Sequence, residues 1–517
     1  MIDEINHIIQ ERFPQYSVDT TKSKTPANRI FGNRFLKDQT VMEYLTEFLL
    51  VFKSPKELIH GKSEGCDFPD ISSLNMKDGK VRYYPDSGLL IKFFSFFAIS
   101  KLDTRHDIHR KYYQQALKKL KDNINGKYKE DSLSILQNLL VGFIGVAKNR
   151  TWCAYTFMPA NSRLLFRELN WEHSKTRNKQ IESWEESQDF YDPNRHMFMA
   201  RGGELVYLQL LNFFNNIDSE KLRNIKDRYY HLEKLSTISN LPDMLSKILS
   251  DYDDTIGQTV DFLQDNLSNE ICDKQIISEV TCDWVPQDTI IEASLLAWEM
   301  FNICLSNEDT VSKLEMLELL VALHVLRTMC FQSSRMINNV NLSSFEGNYA
   351  WFPDMSEEQN IQQRKISEES YNKIENLLFK IVRYKSILKD KDGNIDDDGF
   401  KLFRFLGKQI ELIVPKVGAK MRFNLSTKLV KLFVVTLIKP GERIRFDEFL
   451  KRLYLHFGIA ISGTEYKEAL KICFDDKYPE HVHGDTIWLQ DILQRAGYIV
   501  LLSDSVAMVT NPYSRGR

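Results

Sequence analysis

Apolar residues recur at helical spacing along most of this chain, and that pattern predicts a mainly α protein of several helical bundles. The first part gives helices over Val41 to Phe52, Leu89 to Ser100, Ile108 to Ile124 and Leu133 to Ala147. A loop rich in Gly, Asp, Pro and Ser lies between Ile59 and Asp86. Thr151 to Pro159 alternates like a strand and leads into an expected helix bearing Arg163, Arg167, Glu168 and Trp171. Arg201-Gly202-Gly203-Glu204 opens another helical run, Leu205 to Phe214. Leu314 to Phe331 is apolar almost all round, which predicts a helix at the centre of its domain.

The tail, Asn424 to Tyr513, has the clearest grammar. Leu425, Leu429, Leu432, Phe433 and Thr436 repeat at helical spacing until Lys439-Pro440-Gly441 stops them. Arg443-Ile444-Arg445 alternates like a very short strand. Phe446, Phe449, Leu450, Leu453, Tyr454 and Phe457 then form a second stripe closed by Gly458. A third helix covers Glu465 to Cys473. A fourth runs from a cap at Asp485 or Thr486 through Trp488, Leu489, Ile492 and Leu493 to Gly497. Two strand-like runs, 498–502 and 506–510, flank the hairpin-length turn Ser503-Asp504-Ser505. Helices closed by a hairpin are the order of a winged helix, so a C-terminal winged-helix-like domain is predicted.

With 517 residues the chain is too long for one core. The changes of character along it divide it into a helical domain with a basic helix (1–150), an aromatic and Arg-rich segment (151–235), an acidic helical domain (236–390), a connecting helix (391–420) and the winged-helix-like end (421–517). No repeat at a fixed period of about 30 to 45 residues marks a solenoid. A hydrophobic share of 43% with 27% charged residues is that of a globular protein. Seven scattered cysteines with no CxxC pair read as reduced thiols in a cytoplasmic setting. The N-terminus has no secretion signal, and no apolar stretch reaches the roughly 20 clean residues of a membrane span, so membrane partners are not expected.

Charge changes the picture locally. The whole chain is formally −3, yet residues 241 to 310 hold 15 Asp and Glu against 2 Lys. Such a stretch needs a basic surface opposite it, in this chain or in a partner. Residues 91 to 130 hold 10 Lys and Arg against 4 Asp and Glu, with His106, His109, Tyr112 and Tyr113 interleaved. Arg105, Arg110 and Lys118 are its candidates for gripping phosphates, against the plainer reading of a solvated helix face. Residues 420 to 517 hold 15 basic against 11 acidic residues. There Arg443, Arg445, Lys451 and Arg452 could neutralise phosphates, and Gln490, Gln494 and Arg495 could reach base edges. Asp485 and Asp491 oppose this, so the plainer reading is a domain that packs on its neighbours or docks a protein.

Candidate chemistry is sparse. Arg163, Arg167, Arg195, His196, Arg201 and Glu204 form the one polar set with the makings of a ligand site, and Gly202-Gly203 could present helix-start amides to an anion. A tight turn is the competing reading, because the spacing of a dinucleotide or phosphate loop is missing. Asp390 to Asp396 begins like a calcium loop, but Ile395 stands where glycine is needed and Lys401 where glutamate is needed. Asp103, His106 and His109 share a helix face beside Arg105 and Arg110, which oppose a cation. Cys153 has no local histidine to activate it. Glu465-Tyr466-Lys467 lies on a helix and lacks a nuclease's strand context. No metal and no cofactor are therefore expected.

The expected function is a non-enzymatic helical scaffold or adaptor in a multi-protein complex. It would bind proteins, and nucleic acid as a second partner through the C-terminal domain, in a setting such as bacterial antiviral defence or chromosome handling. The rival is an enzyme, a nuclease or nucleotide hydrolase, with a dispersed site in residues 150 to 210. The sequence is silent on oligomeric state.

Overall fold

The computed structural model describes residues 12–14, 26–32, 40–76, 78–88, 107–141, 144–145, 156–168, 170–171, 191–192, 202–220, 222–223, 235–252, 256–268, 279–338, 349–354, 361–383, 397–474, 477–478, 482–503 and 506–512. Helices dominate: α1 (Pro26–Phe31), α2 (Val41–Lys53), α3 (Asp107–Asn123), α4 (Lys129–Val141), α5 (Gly203–Asn215), α6 (Leu241–Ser250), α7 (Gln258–Ser268), α8 (Ile290–Leu305), α9 (Thr310–Asn338), α10 (Ile361–Val382), α11 (Leu402–Gln409), α12 (Thr427–Leu437), α13 (Phe446–Phe457), α14 (Gly463–Phe474) and α15 (Ile487–Arg495).

The core is a stack of α2, α5, α8 and α9, with α10 closing against α9 and α12 against α8. α8 is buried from Ile290 through Cys304, because helices cover it on several sides. Its neighbour α9 matches the central apolar helix read from Leu314 to Phe331, where Leu317, Leu320, Val321, Leu323 and Leu326 are all sealed from water. Each such side chain contributes roughly 1.5–3 kcal/mol on burial. One continuous apolar cluster runs from Phe13 to Val509. A smaller one gathers Phe352, Tyr454, Tyr466 and Leu470 around α14.

Local sequence fixes the ends. α2 starts in a capping box: the Thr40 hydroxyl accepts from the Glu43 amide while the Glu43 carboxylate accepts from the Thr40 amide at 2.7 Å. α13 stops at Gly458, whose φ of 69° is left-handed and costs glycine little.

Short antiparallel pairs tie distant segments together. β1 (Arg12–Phe13) pairs with β4 (Val285–Pro286), and β2 (Arg82–Tyr83) with β3 (Val280–Thr281). β5 (Ile413–Val414) and β6 (Arg422–Phe423) form a hairpin after α11. At the C-terminus, β7 (Arg443–Arg445), β8 (Ile499–Ser503) and β9 (Val506–Thr510) form an antiparallel sheet ordered β7-β9-β8. The chain order α12-β7-α13-α14-α15-β8-β9 follows the sequence reading element by element.

Upstream, the structure corrects two boundaries. The helix expected to carry Arg163 to Trp171 is a short 3-10 turn, Ser162–Leu164, followed by two-residue strands at Arg167–Glu168 and Asn170–Trp171. The Asn161 side chain caps the turn by accepting from the Arg163 amide, and Leu164, Leu165 and Phe166 then bury in succession, drawing the chain inward. The helix expected to reach Ala147 ends at Val141. Leu89 to Ser100, the Asp390 turn, Asp103 and His106 lie outside the described residues.

Candidate functional site

The Arg-rich segment does not converge on a cleft among the described residues. Arg163 makes an ion pair with Asp261 of α7, both side chains partly exposed. Arg167 sits on a two-residue strand paired in parallel with Ser87–Gly88. Arg195, His196 and Arg201 lie outside the described residues. Glu204 is fully buried, and its Oε1 accepts the Asp283 amide at 2.6 Å.

The glycine pair has a packing role. α5 begins directly against α2, where a Cβ on Gly203 would meet the Tyr44 carbonyl oxygen at 2.3 Å and the Phe48 amide nitrogen at 2.4 Å. The amides of Gly202 and Glu204 do face an anion, as helix-start amides favour. It is the chain's own Glu47, whose Oε2 accepts them at 2.7 and 3.2 Å.

Among the described residues the densest polar constellation lies elsewhere, wholly inside the protein. Arg327 of α9 holds Glu299 of α8 in a two-pronged pair, NH1 to Oε1 at 2.7 Å and NH2 to Oε2 at 3.0 Å. The same NH1 donates to the His456 carbonyl on α13 at 2.9 Å, and His456 Nδ1 lies 2.8 Å from Glu299 Oε1. Arg327 NH2 faces His324 Nδ1 at 3.0 Å, and His324 Nε2 meets Gln209 Oε1 of α5 at 2.7 Å. An arginine can only donate, so His324 accepts at Nδ1 and carries its proton on Nε2. One turn-set further on, Arg335 makes a second fork to Glu292, at 2.8 and 2.7 Å.

Every member of this network is sealed from solvent, which sets its protonation. Burial, then the nearby Arg327 charge, holds both His324 and His456 well below the usual imidazole value; Arg452 adds to the effect on His456. Burial also pushes the Glu299 carboxyl up to about 7, against the pull of Arg327. A network with no exposed atom cannot meet a substrate without the helices parting. What it does is fasten α5, α8, α9 and α13 together. Asn302 of α8 adds to the join by donating to the Thr436 carbonyl of α12 at 2.6 Å.

The candidate nucleic-acid residues fall into two groups. Arg443 and Arg445 are exposed on β7, with Arg445 Nε 3.0 Å from Asp447. Lys451 is half-buried, and Gln494 and Arg495 are exposed on α15. Gln490 is half-buried beside the Thr486 hydroxyl, at 3.4 Å. Arg452 is committed internally, donating to Glu448 and to the Leu437 carbonyl, both at 2.8 Å. On α3, Lys118 is exposed and Arg110 occupies the first turn; Arg105 lies outside the described residues. The hairpin that closes the sheet exposes Val500, Leu501 and Leu502 instead of cations.

The acidic stretch finds much of its complement in the same chain. Asp283 pairs with Lys80 at 2.6 Å, Glu308 with Lys431 at 2.7 Å, Glu279 with Arg82 at 3.8 Å and Asp261 with Arg163. Glu292 and Glu299 are the buried partners of Arg335 and Arg327. Its negative charge is thus answered from both earlier and later sequence.

Cys66, Cys282, Cys304, Cys330 and Cys473 are free thiols. Burial pushes Cys304 up to about 12 and raises Cys330 as well, which keeps both protonated and poor nucleophiles. Among the described residues no three His, Cys, Asp or Glu side chains gather as a metal site, and no helix is long and apolar enough to cross a membrane. Compared with known proteins, the chain matches no protein-family model, no curated protein and no solved structure.

Proposed function

We propose that the chain is a non-enzymatic helical scaffold or adaptor subunit of a multi-protein complex, with a winged-helix-like domain at its C-terminus built into the body. The observation that carries this reading is the use made of its polar groups. Glu47 and Glu204 are consumed at a helix start, and Glu299, Arg327 and His456 in a sealed join. The strand order β7-β9-β8 after three intervening helices supports the winged-helix assignment. The exposed apolar run Val500 to Leu502 on β8 suits a protein neighbour better than a phosphate backbone. Nucleic-acid contact by this domain would rest on Arg443, Arg445 and Lys451. Bacterial defence or chromosome handling is the setting we assign to such a subunit.

The test uses the full-length chain. It is assayed for hydrolysis of nucleotides and of DNA or RNA with magnesium or manganese, beside Arg163→Ala and Arg201→Ala variants. Turnover in the parent that either variant abolishes overturns the scaffold reading in favour of the enzyme. Absence of turnover supports it. In a salt titration with duplex DNA, the triple variant Arg443→Glu, Arg445→Glu, Lys451→Glu should lower the salt slope by about 2 to 3 if this domain grips phosphates. An unchanged slope removes the nucleic-acid role from it.

A further inference from the structure

A second polyelectrolyte surface lies outside the C-terminal unit and does not depend on its assignment. Residues 401 to 422 contain Lys401, Arg404, Lys408, Lys416, Lys420 and Arg422 against Glu411 alone; three aspartates, 396 to 398, precede the stretch. Lys401, Arg404, Phe405 and Lys408 stand at positions i, i+3, i+4 and i+7, so they share one face of the helix that Lys401 leads into α11. The opposite face, Leu402, Phe403 and Leu406, is buried. Phe405 is therefore held outward, 41% exposed between cations, where a core aromatic would be hidden.

The face continues into the hairpin. Lys408 Nζ donates to the Lys416 carbonyl at 3.0 Å, which docks the tip of β5–β6 beside α11. Lys416, Val417, Gly418, Ala419 and Lys420 are all exposed there, Val417 by 89%. On the other side, Arg404 lies over the ring of Phe400, and Phe400 packs against Phe379 of α10, itself 39% exposed. Among the described residues Glu375 pairs with Arg404, and Glu411 pairs with Lys416 at 3.2 Å. Along the sequence from 401 to 422 basic residues outnumber acidic ones six to one, and Lys408 is held below its usual pKa first by burial and then by the charge of Arg404.

We infer that this ridge, the Lys401-Arg404-Phe405-Lys408 face together with the Lys416 to Lys420 hairpin tip, binds single-stranded nucleic acid. Cations spaced along the ridge neutralise successive phosphates, and the outward ring of Phe405 offers an unstacked base a platform. A duplex hides its base faces and could use only the charges. That difference separates the two ligands.

Binding of fluorescent oligo(dT) and oligo(U) to the full-length protein is measured against salt. The triple variant Lys401→Gln, Lys416→Gln, Lys420→Gln should lower the salt slope by about 2. Phe405→Leu, which keeps an apolar contact with the protein, should weaken single-strand binding roughly five- to hundred-fold at an unchanged slope. Reversing Arg443 and Arg445 should leave both readouts intact, so failure of the C-terminal reading and failure of this one are told apart. The inference is overturned by any of three results. The parent fails to bind single strands, both ridge variants bind like the parent, or the parent prefers vesicles rich in phosphatidylserine over oligonucleotides.

Discussion

His456 Nδ1 lies 2.8 Å from Glu299 Oε1 across 157 residues of sequence, and this contact makes the C-terminal unit part of the central helical stack. The carboxylate answers to two partners from two helices, Arg327 of α9 and His456 of α13. Such a join is directional where apolar packing alone is not. It fixes how α13 sits on α8.

Removing the arginine should therefore be far more damaging than removing the pair. Arg327→Met leaves a buried carboxylate without its counter-ion and should cost about 3–5 kcal/mol in urea unfolding. Adding Glu299→Gln to it should recover a large part of that loss. A double variant no more stable than the single one would show that the pair's charges are not what matters.

The pH profile should carry the mark of three buried groups, His324, His456 and Glu299, and of the half-buried Glu318. His324 and His456 have folded values below the 6.5 of the unfolded chain, so their stabilisation is full above that pH and is lost as pH falls. Glu299 and Glu318 are raised from 4.5 to about 7, Glu318 by burial and then the neighbouring Glu315 charge. Their stabilisation is full below 4.5 and is lost as pH rises through 7. Between 4.5 and 6.5 the two pairs oppose each other, which predicts a plateau there and a decline below it. Glu318→Gln removes one carboxyl, so stability at pH 5 should drop below that at pH 7. Urea midpoints measured across the range decide this. A parent that already declines steadily from pH 6.5 contradicts it.

The close approach of α5 to α2 predicts an asymmetry among glycines. Gly203→Ala puts a methyl within 2.4 Å of the backbone of α2, which cannot step aside as a side-chain tip would, and should cost roughly 3 kcal/mol or more. Gly497→Ala meets open space and pays only for its φ of 76°, roughly 1 kcal/mol. Equal melting temperatures for the two variants would refute the packing argument.

How legible was this in the sequence? Turn and cap residues with a local meaning were read correctly: Lys439-Pro440-Gly441 ends α12, Gly458 ends α13, and the break before Val506 makes the hairpin. Arg163 to Trp171 misled because its apolar spacing fits a helix, while the Asn161 cap and tertiary burial impose a turn. The join at Glu299 was out of reach for another reason. His324 and Arg327 read only as interruptions of an apolar run, and nothing in a single chain says that partners 28 and 129 residues away will meet them. Polar residues on the inward face of an otherwise apolar helix were the available signal.

The pairing of the acidic stretch with Lys80, Arg82, Arg163, Arg327, Arg335 and Lys431 reaches beyond neutralisation. It staples the middle of the chain to its flanks on either side. A fragment cut out at residues 241 to 310 would keep its mutual repulsion and lose every one of these counter-charges except those it could borrow from salt. Trimming the protein at the edges of that acidic stretch would sever these pairs.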